Sequence, residues 1–170
     1  AEAGAGADIS CVSTRARRDN GHYVLDGAKL YITNAPFADF MVVVAQTEPG
    51  RGLKGMSVFV VDRDTPGVRV SAPFRKLGMG ASEMAEIVFD GARVSAGNRL
   101  GTENLGFIEA LKVLTLGRIA SAAFGVGLGR AALGEALRYT ANRMQGDAAI
   151  TRHQFVRFTL ADMATRLEAA

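Results

Sequence analysis

Short apolar runs alternate with turn residues over the first hundred positions of the chain. β-branched runs at 42–44, 58–61 and 87–89 each predict a strand. Two more runs, 23–25 and 30–33, flank Asp26-Gly27, and Asp-Gly favours the type I′ turn of a hairpin because both central residues need positive φ. About seven short strands at this spacing predict a β-sandwich or a barrel.

The pattern becomes helical after residue 103. Residues 106–143 contain no proline and are rich in Ala, Leu and Arg, with apolar positions three or four residues apart. A second helix is predicted to begin near Thr151, with Phe155 and Phe158 on one face. Each helix has an apolar stripe wider than one partner can cover, so we expect further helices or another subunit to pack against them.

These patterns predict an α+β protein in two parts. Residues 1–103 form a β-sandwich or barrel-like domain, and residues 104–170 form long helices of an incomplete helical bundle.

Glycines inside the first helix are each about 1 kcal/mol less favourable than alanine. Close approach of another backbone is the ordinary explanation for them, and a bulky ligand is the alternative. They are Gly117, Gly125, Gly127, Gly129 and Gly134.

Composition excludes several classes of protein. The chain has 170 residues, of which 48% are hydrophobic and 22% charged, and this excludes a disordered chain. The uncharged apolar runs are shorter than the ~18 residues that span a bilayer, so we expect no membrane span. Cys11 is the one cysteine, which precludes an internal disulfide and favours a cytoplasmic location.

Charge and motifs indicate no chemistry by themselves. The net charge is +3, and the one basic cluster, Arg15 with Arg17 and Arg18, is spaced like an exposed strand face, so we expect no nucleic-acid partner. His22 and His153 have no partners at metal-ligand spacing, so no metal site is predicted. The glycine-rich stretch 125–129 lacks the strand that precedes a dinucleotide loop. The residues alone therefore indicate no nucleophile and no acid–base pair.

Several local motifs, in one order along the whole chain, resemble those of the acyl-CoA dehydrogenases. Segment 2–8 (EAGAGAD) is similar to the family's Thr-Glu-Pro-x-Ala-Gly-Ser-Asp loop, and segment 27–34 (GAKLYITN) to its Gly-x-Lys-x-Trp-Ile-Thr-Asn motif. Further matches lie at 76–79, 87–90, 98–101, 139–143 and 160–163.

The resemblance implies a flavoprotein oxidoreductase of fatty acid metabolism. A carboxylate would remove the α-proton of an acyl-CoA thioester, and FAD would accept the β-hydride at its N5 atom. It also implies an electron-transfer flavoprotein or similar acceptor, and assembly as a homotetramer or hetero-tetramer.

Matching positions imply which residues contact the cofactor and the substrate. Tyr31, where the family more often has Trp, would lie against the flavin with Ile32 and Thr33. Tyr31 and Thr33 are expected to face one side because strand residues alternate. An exposed cross-strand Tyr–Thr face without a ligand is the alternative.

The helical part supplies three further candidates. Arg143 would reach the FAD pyrophosphate of a neighbouring subunit, and Gln154 would lie near the adenosine. Arg118 would lie on the substrate side, as would Ala7 of the first part. The alternatives are a helix-terminal arginine that meets carbonyls, for Arg143, and a salt bridge within the bundle, for Arg118.

No residue matches the family's catalytic base. Most members carry it in the final helical segment, and a minority carry it directly before the arginine that matches Arg118, where this chain has Gly117. We therefore expect that the chain by itself does not complete turnover. Ala1 and Ala7 replace the Thr and Ser that touch flavin and ligand in the family. These departures leave open a low-activity subunit of a hetero-oligomer, and a sibling flavin oxidase or monooxygenase.

Overall fold

A computed structural model describes residues 1–170, which form two compact units, Ala1–Val113 and Leu114–Ala170. The first unit contains seven strands and the start of a long helix, and the second contains the rest of that helix, a small hairpin and a second helix. The strands of the first unit are β1 (Arg15–Asp19), β2 (His22–Thr33), β3 (Phe40–Gln46), β4 (Met56–Asp62), β5 (Val68–Val70), β6 (Met84–Ser95) and β7 (Arg99–Leu100). The remaining elements are α1 (Gly106–Asn142), β8 (Met144–Gln145), β9 (Ala148–Ala149) and α2 (Gln154–Ala169).

The seven strands form one curled sheet in the order β5-β6-β2-β1-β3-β4-β7. β1 and β3 are parallel and join at a single pair, Arg15 with Gln46. The rings of Tyr23 on β2 and Phe59 on β4 have centroids 4.8 Å apart, although β1 and β3 lie between those strands in the sheet. Neighbouring strands lie about 4.8 Å apart, so a flat sheet would keep these rings well separated. The sheet therefore curls so that its two halves face each other, and the predicted α+β class is confirmed.

The core of the first unit lies inside the curled sheet. Along β2, β3 and β6, buried and exposed residues largely alternate, as expected of strands with one face inward. The buried cluster comprises Ala16, Tyr23, Leu25, Ala35, Met41, Val43, Ala45, Phe59, Val61, Ala85, Ile87, Phe89, Ala92 and Val94. The predicted strand runs 42–44, 58–61 and 87–89 lie in β3, β4 and β6.

The hairpin predicted at Asp26-Gly27 is wrong, because β2 passes through this dipeptide without turning. Gly27 has φ 144°, and a Cβ atom there would lie 2.7 Å from Oγ1 of Thr14. Glycine is needed for this close approach rather than for a turn. The turn lies at Asn20-Gly21, where φ values of 43° and 79° form the two-residue link between β1 and β2.

The helices begin and end close to the predicted positions. The predicted helix 106–143 is α1, and the second predicted helix begins as a short 3₁₀ turn at Ile150–Arg152 that leads into α2. Of the five glycines inside α1, only Gly129 meets another residue, with Cδ1 of Leu167 3.1 Å from its Cβ position. The close packing predicted for the other four is not provided within the chain.

Helix α1 exposes most of its apolar side chains. It has 37 residues and a mean hydropathy of 1.4 in its most apolar window, so its length and composition would allow it to cross a membrane. A core helix of a bundle has the same length and composition, so this does not show insertion, and the absence of a membrane span stays a prediction. Its exposed large apolar residues are Ile108, Leu111, Val113, Leu114, Leu116, Ile119, Phe124, Leu128, Leu137 and Tyr139.

Candidate functional site

Strand β2 carries a bulge two residues before it ends. The pairing of β2 with β6 shifts register between Lys29 and Ile32. Leu30 and Tyr31 therefore lie opposite a single residue of β6, Glu86. Tyr31 has φ 59°, which is rare for a bulky residue. Bulges redirect side chains, and they occur often beside functional sites.

The bulge leaves Tyr31 and Thr33 on the exposed side of the strand. The Tyr31 side chain is 63% exposed, and Thr33 is also exposed. Ile32, between them, packs against the core. The ring of Tyr31 contacts that of Phe74, with centroids 5.5 Å apart and planes at 48°. An aromatic ring and a hydroxyl group are thus both accessible at the end of β2, which we call the exposed edge of Tyr31 and Thr33. That the two side chains face one side stays a prediction.

The loop that precedes β1 is held against this bulge. The carbonyl oxygen of Ala1 accepts a hydrogen bond of 2.9 Å from the backbone N–H of Leu30. Glu2 and Ala5 exchange backbone hydrogen bonds of 2.8 and 3.2 Å, which close a tight turn. Ala7 lies at the exposed end of this loop. The loop therefore has a defined conformation beside the start of the bulge.

A buried ion pair joins the same loop to β2. Nζ of Lys29 lies 2.6 Å from Oε1 of Glu2, and the two side chains are 10% and 3% exposed. Nζ also donates to the carbonyl oxygen of Val44 on β3, at 2.7 Å. Lys29 directly precedes the bulge, so one ammonium group connects the loop, β2 and β3 at this point.

The Glu2 carboxylate is almost fully hydrogen-bonded. It accepts from the backbone N–H and the hydroxyl of Ser13, at 2.6 and 2.7 Å, and from the hydroxyl of Thr14, at 2.6 Å. Burial alone would raise its pKa, but the hydrogen bonds from Lys29, Thr14 and Ser13 outweigh burial and lower the pKa of Glu2 to about 2. Burial lowers the pKa of Lys29, and its contact with Glu2 opposes that shift. Glu2 is therefore ionised at neutral pH.

In the second unit, two candidate residues lie near the same turn. Arg143 follows α1, its N–H donates to the carbonyl of Tyr139 at 2.8 Å, and its carbonyl accepts from Ile150 at 2.8 Å. The hairpin of β8 and β9 lies between these two bonded positions. Gln154, four residues after Ile150, is the first residue of α2. The side chains of Arg143 and Gln154 are both exposed.

Arg118 lies on α1, away from the turn that holds Arg143. It is exposed and forms no ion pair within the chain, so the alternative of a salt bridge is not realised there. The structure thus groups Tyr31, Ile32 and Thr33 in the first unit and Arg143 with Gln154 in the second.

Sequence analysis missed the Glu2–Lys29 pair and the contact of Tyr31 with Phe74. Glu2 and Lys29 each lie inside a motif that the sequence singled out, one in each motif. The one sequence signal for this pair was that a loop motif contains an acidic residue and a strand motif contains a basic one. The two residues lie 27 positions apart, and hydrophobic periodicity cannot predict a contact over that distance.

Comparison with known proteins gives matches along the chain. Residues 1–92 match the profile of the acyl-CoA dehydrogenase middle domain, and residues 104–170 match that of the acyl-CoA dehydrogenase C-terminal domain. An acyl-CoA dehydrogenase of Bacillus subtilis (strain 168) is 43% identical over 165 residues, which cover 97% of this chain and 44% of that protein. A subunit of the caffeyl-CoA reductase–Etf complex of Acetobacterium woodii is 38% identical over 169 residues, which cover 99% of this chain and 45% of that protein.

A solved structure has the same fold. The butyryl-CoA dehydrogenase of Megasphaera elsdenii superposes with a TM-score of 0.95 at 37% identity, over 99% of this chain and 44% of that chain. The chain therefore spans less than half the length of the relatives that it matches.

Proposed function

The chain belongs to the acyl-CoA dehydrogenase family, and on that premise we propose that it forms part of an FAD-dependent oxidoreductase that dehydrogenates an acyl-CoA thioester. The observation that carries this proposal is the exposed edge of Tyr31 and Thr33, which the β2 bulge turns away from the core. A planar aromatic cofactor suits this edge, because it offers a ring face and a hydroxyl group side by side.

FAD, when bound, supplies the acceptor for the hydride that leaves the β-carbon. Tyr31 would lie against the ring, and the Thr33 hydroxyl would donate a hydrogen bond to it. Ile32 would hold the backbone of this segment against the core. Arg143 suits the pyrophosphate of a cofactor, since its guanidinium is exposed and unpaired with any carboxylate of the chain, and Gln154 would bond near the adenosine.

We infer that the carboxylate that removes the proton is not among the residues of this chain. Gly117 stands directly before Arg118, so no acid is present at that position. We infer that Arg118 helps to orient the thioester or the base, and that Ala7 borders the substrate. Acyl-CoA added to the chain with FAD is expected to leave the flavin absorbance unchanged, and complete bleaching would contradict this inference.

Partners follow from the family and from the exposed helices. An electron-transfer flavoprotein is the proposed electron acceptor, supported by the relative that is a subunit of an Etf complex. The exposed apolar side chains of α1 and α2 support assembly into a tetramer, homo- or hetero-oligomeric, through these helices.

The proposed function is tested by FAD affinity, measured from the quenching of flavin fluorescence. Thr33→Ala removes one hydrogen bond to the cofactor and is expected to weaken binding about tenfold. Thr33→Ser keeps the hydroxyl and should restore most of the affinity. Thr102→Ala, which removes another exposed hydroxyl of the first unit, serves as the matched control and should change nothing.

Two outcomes would contradict the assignment. Equal affinity of the Thr33→Ala and Thr102→Ala variants would remove Thr33 from the site. Absence of FAD binding by the unmodified chain would favour the low-activity subunit instead, whereas rapid reaction of the reduced flavin with oxygen would favour a flavin oxidase or monooxygenase.

A further inference from the structure

The Tyr31 backbone is held in an unfavourable conformation. Positive φ is unfavourable for a non-glycine residue and persists where its surroundings over-determine it. Tyr31 has φ 59° and its ring is 63% exposed, so core packing of its side chain does not impose the conformation. Pairing with β6 holds the two ends of the bulge, at Lys29 and Ile32, and further contacts hold the residues that precede Tyr31.

Two contacts hold the residues that directly precede Tyr31. The Leu30 N–H donates a hydrogen bond of 2.9 Å to the carbonyl oxygen of Ala1. The Lys29 ammonium binds Glu2 at 2.6 Å and the Val44 carbonyl at 2.7 Å. Ala1 directly precedes Glu2 in the chain. The contacts that hold the Glu2 carboxylate therefore also hold the Ala1 carbonyl, which accepts the hydrogen bond from the Leu30 N–H.

Glu2 in turn is held by the last two residues of the loop before β1. Its carboxylate accepts hydrogen bonds from Ser13 and Thr14, which lie directly before β1. The chain of contacts therefore runs from the start of β1 through Glu2 to Lys29 and the bulge. Glu2, Thr14 and Lys29 are buried, whereas Tyr31 and Thr33 are exposed.

We propose that the buried Glu2–Lys29 ion pair is a positioning device for the flavin-facing segment Tyr31–Thr33, acting through the bulge without touching the cofactor. The proposal rests on the proposed function for the identity of the ligand. Its structural part, control of the bulge, can be measured without any ligand. The carboxylate and the ammonium are positioning residues, not catalytic ones.

The test compares single and double replacements in the whole chain. Glu2→Gln and Lys29→Met each leave one buried charge without its partner, and the combined variant removes both charges while Met fills much of the volume of Lys29. The matched control is the exposed pair Glu48–Arg51, 2.8 Å apart, changed by Glu48→Gln and Arg51→Met. Readouts are the melting temperature, amide hydrogen exchange over 30–33, and the Kd for FAD.

Each single variant is expected to lower the melting temperature, to speed amide exchange over 30–33 at least tenfold, and to weaken FAD binding by about tenfold, the factor for the one hydrogen bond that the Thr33 hydroxyl would donate to the cofactor. The combined variant should recover much of the melting temperature, because no unpaired charge is buried. Its amide exchange should stay fast and its FAD binding weak, because positions 29 and 30 are no longer anchored to the loop by the ion pair.

The combined variant separates positioning from stability. Recovery of melting temperature, exchange and FAD affinity together would overturn the proposal, since the pair would then serve folding alone. Unchanged exchange in the single variants would overturn it as well. Where the unmodified chain binds no FAD, the proposed function fails, and the exchange data still decide whether the pair positions the bulge.

Discussion

Acidification should destabilise the fold through one carboxylate, Glu2. The hydrogen bonds that outweigh its burial lower the pKa of Glu2 from 4.5 to about 2. A carboxyl group with a lowered pKa in the folded state binds its proton more tightly when the chain is unfolded. Its stabilising contribution is therefore complete above about pH 5 and is lost as the pH falls through the folded-state value.

The size of this contribution follows from the shift. One pKa unit corresponds to about 1.4 kcal/mol, so the difference between the two states amounts to about 3 kcal/mol. Nearly all of it should disappear between about pH 5 and pH 2.

The assay is urea denaturation of the unmodified chain and of the Glu2→Gln variant at a series of pH values from 2 to 7. The difference in the free energy of unfolding between the two isolates Glu2, because all other carboxyl groups are shared. We expect the difference to be largest at pH 7 and to shrink by about 3 kcal/mol toward pH 2. Glu48→Gln, in the exposed ion pair, should give a much smaller difference.

A difference that stays constant from pH 5 to pH 2 would refute this reasoning. Glu2 would then have the same pKa folded and unfolded, and the buried ion pair with Lys29 would not exist in solution. A difference that grows toward low pH would refute it as well, because it would require a raised pKa, with burial outweighing the hydrogen bonds.

Two further predictions concern glycines and are measured by urea denaturation at neutral pH. Gly27→Ala would place a Cβ atom 2.7 Å from Oγ1 of Thr14, in a residue with φ 144°. This variant should lower the free energy of unfolding by about 2 kcal/mol or more. A neutral result would show that β2 is not held so close to Thr14. Gly106→Ala would place a Cβ atom 2.7 Å from the backbone of Ser57 and should likewise be destabilising. Gly134→Ala, in the same helix with no atom within 4 Å of the Cβ position, should instead stabilise by about 1 kcal/mol, and equal effects of these two replacements in α1 would contradict the packing at Ser57.

The order of elements was predictable because it depends on local patterns. Local sequence predicts the strands β3, β4 and β6 from their β-branched runs, and the helix α1 from its proline-free apolar periodicity. Family motifs, each short and local, likewise identified the segment of Tyr31 and Thr33. Alternation predicts only that Tyr31 and Thr33 face one side, and the bulge with its positive φ between Lys29 and Thr33 was not predicted.

Two features depended on contacts between distant positions. Asp26-Gly27 and Asn20-Gly21 satisfy the same turn preference, and the approach of Thr14 to Gly27 within the fold decides that the strand continues at the first and turns at the second. Glu2 meets Lys29 across 27 positions only after the loop closes on β2.

Sequence by itself therefore determined the strands and helices, their order along the chain and the family motif that contains Tyr31 and Thr33. Tertiary structure alone decided where the chain turns, why Tyr31 adopts a left-handed conformation, and which buried charges hold it there. The physical reason is range: backbone preference and periodicity act over a few residues, whereas close packing and the pairing of buried charges depend on which strands the fold brings together.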